Sequence, residues 1–161
     1  MDKAKVIGEQ RQSAHPQGTP RYYKDPNTED TIGVAGELAF AKMYKLEIDD
    51  SIRPEGDDHV DFKVKINDSE VTIDVKTAQK AYNLLIKEWE IEDCANILVL
   101  AKYKSNEEIE FLGWETKDVM RIMPKKVFSS LGIKNYYRHW NQLRPMCQLD
   151  ELLGKKQDTF F

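Results

Sequence analysis

The chain has 161 residues, a formal net charge of −4, 40% hydrophobic residues and 32% charged residues. This length fits one domain with a single hydrophobic core, and the composition is that of an ordinary globular protein. The acidic net charge argues against a protein that binds polyanions over its whole surface, although a local basic surface is still compatible with it.

The cysteines, Cys94 and Cys147, are far apart in the sequence, and no Cys/His set has the spacing of a zinc site. No apolar leader segment and no long apolar run occurs, so we expect a cytoplasmic protein without a membrane partner. No glycine-rich phosphate loop is present, and nucleotide-driven chemistry is therefore not indicated.

Residues 1–24 are polar, lack periodicity and contain Pro16, Gly18 and Pro20. This composition predicts a flexible N-terminal arm, with the globular domain spanning residues 25–161. The arginines and tyrosines of the arm suit contact with a nucleic acid, but an untethered terminus is the favoured alternative.

A helix is predicted from Asn27, which can cap it. Its expected core stripe has helical spacing and consists of Ile32, Ala35, Ala39, Met43 and Leu46. Glu37 lies beside this stripe, at its edge. Gly33 and Gly36 each weaken a helix by about 1 kcal/mol relative to alanine, a cost that is easier to understand if another element approaches closely.

Two alternating runs, 62–66 and 71–76, flank the turn 67–70 and predict a β-hairpin. Residues 82–91 fit either a helix or a strand. The apolar run 97–100 predicts a central strand buried on both faces, and 109–113 its hairpin partner. Thr116 then caps a short helical turn. The sequence thus predicts an α/β domain with a mixed central sheet flanked by helices, the first helix on one face.

Polar side chains of the hairpin converge on one face. Asp74 and Lys76 are two residues apart and therefore point the same way. If Ile66 pairs with Val71, Asp61 lies opposite Lys76, and directly opposed residues share a face. The hairpin thus gathers two carboxylates and an ammonium at its open end.

Such a cluster suits metal chemistry. Mg²⁺ prefers oxygen ligands and is usually held by one or two carboxylates, here Asp61 and Asp74. Lys76 would neutralise developing charge or act as a base, and the first role is favoured. A solvated salt-bridge face is the alternative, since a bare [DE]-x-K triplet is a weak signal and the sequence also has triplets at 61–63 and 115–117.

The ordered set of motifs resembles the PD-(D/E)xK nuclease superfamily, which has the restriction-endonuclease-like fold. The resemblance covers about residues 28–120. It is carried by Gly36-Glu37 in the first helix, by the segment 56–62 that contains Asp61, by Ile73-Asp74-Val75-Lys76-Thr77-Ala78, and by the later segment 111–116. The proline that gives the family its name is absent, because Val60 precedes Asp61.

The resemblance implies roles for individual residues. Asp61, Asp74 and the backbone carbonyl of Val75 would bind Mg²⁺, for which Mn²⁺ would substitute, and Lys76 would be the catalytic lysine. Glu37 would be a further catalytic acid that reaches the metal through water; a surface glutamate is the alternative. Gln79 matches a position near substrate in some members, with an ordinary polar residue as the alternative.

Basic residues outside these motifs are further candidates for substrate binding. They are Lys125, Lys126 and Arg138, the last within a basic and aromatic cluster at 136–140. Solvated charges and a C-terminal packing patch are the favoured alternatives.

The function implied is Mg²⁺-dependent hydrolysis of phosphodiester bonds, most of all in DNA, by a small stand-alone nuclease of phage, mobile-element or repair type. A homodimer would suit cutting of both strands. The alternative is a non-catalytic module that binds nucleic acid or assists assembly while retaining the nuclease fold; an unrelated role with a salt-bridge face is the third.

Overall fold

The structure, a computed structural model, describes residues 26–47, 60–80, 82–128 and 130–154. The helices in these ranges are α1 (Pro26–Tyr44), α2 (Lys117–Met120) and α3 (Met146–Leu152). The strands are β1 (Phe62–Ile66), β2 (Ser69–Ala78), β3 (Asn83–Lys87), β4 (Ile97–Ser105), β5 (Glu108–Thr116), β6 (Lys125–Val127) and β7 (Lys134–His139). Short 3₁₀ turns span Glu88–Glu90 and Trp140–Gln142.

The strands form two sheets. The central sheet has the order β1-β2-β4-β5, in which β2 and β4 are parallel and the other neighbours antiparallel. The small sheet is antiparallel and has the order β3-β7-β6. The mixed α/β class that the sequence predicts is confirmed.

The elements pack in three layers. On one face of the central sheet, α1 and α3 share a hydrophobic cluster with β1, β2, β4 and β5. On the other face, a second cluster joins Leu84 and Ile86 of β3 to Leu98 and Leu100 of β4. The small sheet, with Met120 of α2, therefore covers the face opposite α1. No helix in the described ranges combines the length and apolarity needed to cross a bilayer.

The central strand β4 was predicted correctly. Ile97 to Ala101 are all buried, because α1 lies over one face of the strand and the small sheet over the other. Its hairpin partner is β5, as expected. The side chain of Thr116 accepts a hydrogen bond from the Val119 N–H at 3.2 Å and caps α2, also as expected.

The helix α1 begins at Pro26, so Asn27 lies inside the helix and is not its cap. Proline suits a first helical position because its missing N–H has no partner there. The predicted core stripe was only partly correct: Phe40 and Val34 are fully buried, whereas Ala39 and Met43 are half-buried. The edge position expected for Glu37 was wrong, since this residue is 6% exposed.

The register of the β1–β2 hairpin differs from the predicted one by two residues. Ile66 pairs with Ser69 and Phe62 with Ile73. The turn has two residues, Asn67 and Asp68, with φ values of 50° and 66°; positive φ at both positions is typical of the type I′ turns that close tight hairpins. A shift of two residues keeps every side chain on its predicted face.

Residues 82–91, which fit either a helix or a strand in the sequence, form β3 and the following 3₁₀ turn. Among the C-terminal residues, Leu149 of α3 is fully buried, and the Tyr44 hydroxyl donates a hydrogen bond to Asp150 Oδ1 at 2.7 Å. This contact ties α3 to α1. The predicted arm at 1–24 and the loop at 53–59 lie outside the described residues.

We expect Gly36→Ala to destabilise the protein by about 1 to 3 kcal/mol, as measured by urea unfolding. A Cβ at this position would lie 1.9 Å from Thr77 Oγ1 and 3.2 Å from Thr77 Cβ, and the branched threonine cannot turn all of its atoms away. Gly33→Ala is the matched control, because its Cβ would meet nothing within 4 Å. That change should raise stability by up to about 1 kcal/mol. Equal effects at the two glycines would contradict the close approach of α1 to β2.

Candidate functional site

Asp61 immediately precedes β1, at the open end of the hairpin. Its backbone N–H donates to the Ile73 carbonyl at 2.9 Å, and its side-chain Oδ2 accepts a hydrogen bond from the Val75 N–H at 2.8 Å. The Asp61 carboxylate thus accepts a hydrogen bond from the β2 backbone next to the first residue of β1. Val75 lies between Asp74 and Lys76, so the Asp61 carboxylate lies beside the part of β2 that carries both.

Asp74 lies on the face of β2 that meets the small sheet. Its neighbour in the central sheet is Leu98, and the residue is 3% exposed. Its Oδ2 lies 2.8 Å from Lys76 Nζ, whose side chain is 35% exposed. Within the described part of the chain, Asp74 Oδ2 has no partner with hydrogen-bond geometry. A buried carboxylate oxygen therefore faces a single cation that remains accessible to solvent.

The charge state of Lys76 follows from its surroundings. Burial alone would lower the pKa of its ammonium group, but the charge of Asp74, the contact with it, and the charges of Glu90 and Asp61 outweigh burial and raise the pKa. Lys76 is therefore protonated at neutral pH, as the favoured role of a fixed positive charge requires.

Glu90 is a site residue that sequence analysis missed. It ends the 3₁₀ turn after β3, its side chain is largely buried, and its charge acts on Lys76. The sequence did not decide between a helix and a strand for residues 82–91, and Glu90 was therefore missed. A strand at 83–87 carries the chain across the face that holds Lys76. The alternation of Leu84 and Ile86 predicts a strand, and this pattern was the sequence signal that could have identified Glu90 as a site residue.

Glu37 approaches from the other layer. It follows Gly36, which lies against Thr77 of β2, one residue after Lys76. Helix α1 packs on the face of β2 that carries Val75 and Thr77, whereas Asp74 and Lys76 point to the opposite face. The structure therefore brings Glu37 to the same end of β2 as the other candidates, but from the opposite side of the sheet.

The structure distinguishes the three [DE]-x-K triplets. Lys63 in the first is exposed on β1. In the third, Glu115 is 1% exposed, and Arg144 Nε lies 2.8 Å from one of its oxygens and Arg138 Nε 3.6 Å from the other. Two arginines thus hold that carboxylate. The triplet at 74–76 is the one that joins a buried acid to a lysine reachable from solvent.

The predicted substrate-binding residues have different surroundings. Gln79 is exposed, and its carbonyl accepts a hydrogen bond from the Tyr82 hydroxyl at 2.9 Å. Lys125 and Lys126 lie on β6, an edge strand of the small sheet, and Lys125 Nζ is 2.9 Å from Glu88. Arg138 packs inward: besides Glu115, it contacts the Gln142 carbonyl at 2.9 Å and Met123 Sδ at 2.9 Å. These contacts agree with the alternative in which Arg138 belongs to a packing patch.

The donor set fits a hard divalent cation. Two carboxylates and a backbone carbonyl are oxygen ligands of the kind that Mg²⁺ takes, and the buried Asp74 carboxylate already lies 2.8 Å from one cation, Lys76 Nζ. In a strand, the N–H and C=O of one residue point to the same edge, so the Val75 carbonyl faces the side on which Asp61 lies. No group of three or more His, Cys, Asp or Glu side chains suited to one metal occurs in the described ranges, from which Asp57, Asp58 and His59 are missing.

Comparison of the chain with protein-family models, curated protein sequences and solved structures finds no match.

We expect a double-mutant cycle on Asp74 and Lys76 to give a coupling free energy of about 1 to 2 kcal/mol in urea unfolding. Lys76→Met leaves the Asp74 carboxylate buried without its cation, and Asp74→Asn in the same chain removes that charge and restores part of the stability.

The control is the exposed pair Lys104–Glu110, whose charged atoms are 3.3 Å apart. Its coupling should stay below about 1 kcal/mol, because solvent screens exposed pairs. Equal coupling in the two pairs would show that the Asp74–Lys76 contact is an ordinary surface ion pair.

Proposed function

We propose that this chain is a metal-dependent nuclease that hydrolyses phosphodiester bonds, most of all in DNA. The observation that carries the proposal is the contact of buried Asp74 with Lys76 at 2.8 Å, beside the Asp61 carboxylate, which accepts the N–H of Val75, the residue between them. Buried ionisable groups that face one another beside a strand end are typical of catalytic sites.

Asp61, Asp74 and the Val75 carbonyl are the residues that would hold Mg²⁺ or Mn²⁺. Glu37, which the motif links to the metal through water, approaches β2 from the other face of the sheet and is left out of this ligand set. When bound, such an ion polarises a phosphoryl oxygen and lowers the pKa of water. The Val75 N–H fixes the orientation of Asp61, so that this carboxylate needs little reorganisation to act as a ligand.

Lys76 provides a positive charge that is partly exposed on one side and held by Asp74 on the other. As the attacking water bonds to phosphorus, negative charge grows on the phosphoryl oxygens, and a nearby ammonium stabilises that charge. The apolar side chains between the central and small sheets, such as Leu84 and Leu98, exclude water from one side of the site. They therefore strengthen the attraction between the Lys76 ammonium and the phosphoryl oxygens.

The fold supports a place in the PD-(D/E)xK superfamily. A first helix, a hairpin that carries the acids and a parallel neighbour strand occur in the expected order. We propose the restriction-endonuclease-like fold on this basis, with the small sheet as a departure from the expected flanking helix. Cutting of both strands of a duplex would need two sites, which a homodimer would supply.

We expect the purified protein to cleave labelled DNA with Mn²⁺ or Mg²⁺ and to lose cleavage in EDTA. Lys76→Ala and Asp74→Asn should each lower the rate at least a hundredfold, since each removes a charge that acts on the transition state. Lys63→Ala, from the triplet at 61–63, is the matched control and should keep most of the activity. Single-stranded, double-stranded and branched DNA should be compared in one gel assay, with RNA as a further arm.

Equal cleavage by the wild type and Lys76→Ala would reject the proposal and favour the unrelated role. Oligonucleotide binding without cleavage in either protein would favour the non-catalytic module instead.

We also expect Mg²⁺ or Mn²⁺ to raise the unfolding temperature of the wild type. An ion at a hundred times its Kd stabilises the folded state by about 2.7 kcal/mol, which corresponds to a rise of several degrees for a chain of this size. Asp74→Asn should abolish the rise, whereas Asp150→Asn, at the α1–α3 contact, should keep it. The measurement is differential scanning fluorimetry with and without EDTA. An undiminished rise in Asp74→Asn would place the metal elsewhere.

A further inference from the structure

The small sheet has one face turned away from the core. Leu84, Ile86 and Tyr136 belong to the cluster between the two sheets, so the alternate residues of each strand point outward. The pairing of the strands sets the outward residues in three rows: Asn83 with His139, Leu85 with Tyr137, and Lys87 with Asn135 and Lys126. We call these residues the outer face.

The outer face carries cations and amides but no carboxylate. Its ionisable groups are Lys87, Lys126, His139 and the Tyr137 hydroxyl, whereas the whole chain has 28 acidic residues and a net charge of −4. At the edge of the outer face, Glu90 Oε1 lies 4.0 Å from Lys87 Nζ. The row that holds Lys87 and Lys126 still provides a local positive field on an acidic protein, which suits a polyanionic ligand.

Aromatic rings line the same surface. The Phe128 ring lies beside Tyr137 in an edge-to-face contact, with centroids 5.3 Å apart. Trp89 is 61% exposed, and Lys87 Nζ lies 5.7 Å from its ring centre; Trp140 is 45% exposed, and its ring lies 5.6 Å from that of His139. Large exposed aromatic rings commonly mark interaction sites.

The two tryptophans stand at opposite ends of the outer face. Trp89 lies two residues after the end of β3 and Trp140 directly follows β7, and these strands are antiparallel. The five paired positions between Asn83 and Lys87 span about 13 Å. Tyr137 lies between the ends, so that rings recur along the strand direction, and Lys87 and Lys126 lie in one row at the Trp89 end.

We propose that the outer face binds a single-stranded segment of nucleic acid, with bases stacked on Trp89, Tyr137 and Trp140 and phosphates near Lys87 and Lys126. Base stacking needs exposed π faces, and binding of the phosphate backbone needs cations; this surface has both. A second copy of this chain would present the same cations and would be repelled by them, which disfavours a symmetric protein contact here.

The inference deepens the proposed nuclease function by naming its substrate class, and it rests on that function for the link to cleavage. The link is short: the 3₁₀ turn that carries Trp89 also carries Glu90, whose charge acts on Lys76. The Trp89 end of the outer face is therefore the end that adjoins the turn with Glu90.

The experiment measures binding separately from cleavage. Anisotropy of a fluorescein-labelled 20-mer of thymidylate is recorded with Asp74→Asn protein in EDTA, as a function of salt. Trp89→Ala and Trp140→Ala should each weaken binding about tenfold, since stacking of one base is worth about 1 to 3 kcal/mol. Lys87→Ala/Lys126→Ala should weaken binding and lower the slope of log K against log salt by about one to two.

Matched controls lie on other surfaces. Leu152→Ala removes an exposed apolar side chain, and Lys42→Ala removes an exposed lysine of α1; neither should change the affinity. Binding should also quench the fluorescence of Trp89 and Trp140 but not that of the buried Trp114. A single-stranded RNA and a DNA duplex of equal length complete the assay, and the duplex should bind more weakly.

Two outcomes would overturn the inference. In the first, the tryptophan and lysine variants bind the 20-mer as tightly as the parent protein. In the second, sedimentation shows a dimer that the same variants dissociate, which would assign the outer face to a protein contact. Absence of cleavage by the wild type, with binding lost only in the outer-face variants, would reject the nuclease function and leave this surface as a nucleic-acid site.

Discussion

Residues 73 to 77 of β2 lie between two layers, and alternate side chains therefore meet two different environments. Ile73 and Val75 pack against the helices, whereas Asp74 and Lys76 point to the small sheet. A carboxylate buried among apolar side chains is costly unless it is paired. Lys76 provides that pair, two positions further along the same strand. The two-residue repeat of the strand therefore determines which side chains join the helix-side core and which form the charged contact. A shift of one residue would turn Ile73 and Val75 away from the helices and bury Asp74 and Lys76 among them.

Two buried acids lie in one row across the central sheet, because Asp74 pairs with Leu98 and Leu98 with Glu115. Their partners differ. Glu115 is held by Arg138 and Arg144 and accepts the N–H of Thr116 at 3.1 Å, so its oxygens are engaged by groups of the protein itself. Among the described residues, Asp74 contacts one lysine, through Oδ2. Two arginines thus neutralise Glu115, an arrangement that stabilises packing, whereas Asp74 faces one partly exposed cation, and the proposed metal site rests on this difference.

The sequence predicted the shared face of the acids but not their register. Apolar alternation on two strands defines which residues lie together on a face, and any even shift satisfies it. The turn decided the register: Asn67 and Asp68 accept positive φ, so two residues close the hairpin where four were expected. In α1 the apolar stripe was misplaced because Glu37, a charged residue, lies among the buried positions. A pattern of apolar residues cannot reveal a buried acid, and such exceptions concentrate at functional sites.

The strand β3 escaped prediction for a physical reason that also bears on its role. A half-buried strand alternates apolar and polar residues, and Leu84 and Ile86 obey this rule on the core side. Leu85, however, is apolar on the outward side, and it belongs to none of the hydrophobic clusters formed by the described residues. The run of three apolar residues therefore fits a helix as well as a strand. An apolar side chain between Tyr137 and two rows of polar residues contributes little to the folded core. An outward-facing Leu85 is consistent with the proposed binding of bases to the outer face, because stacked bases would displace water from its side chain.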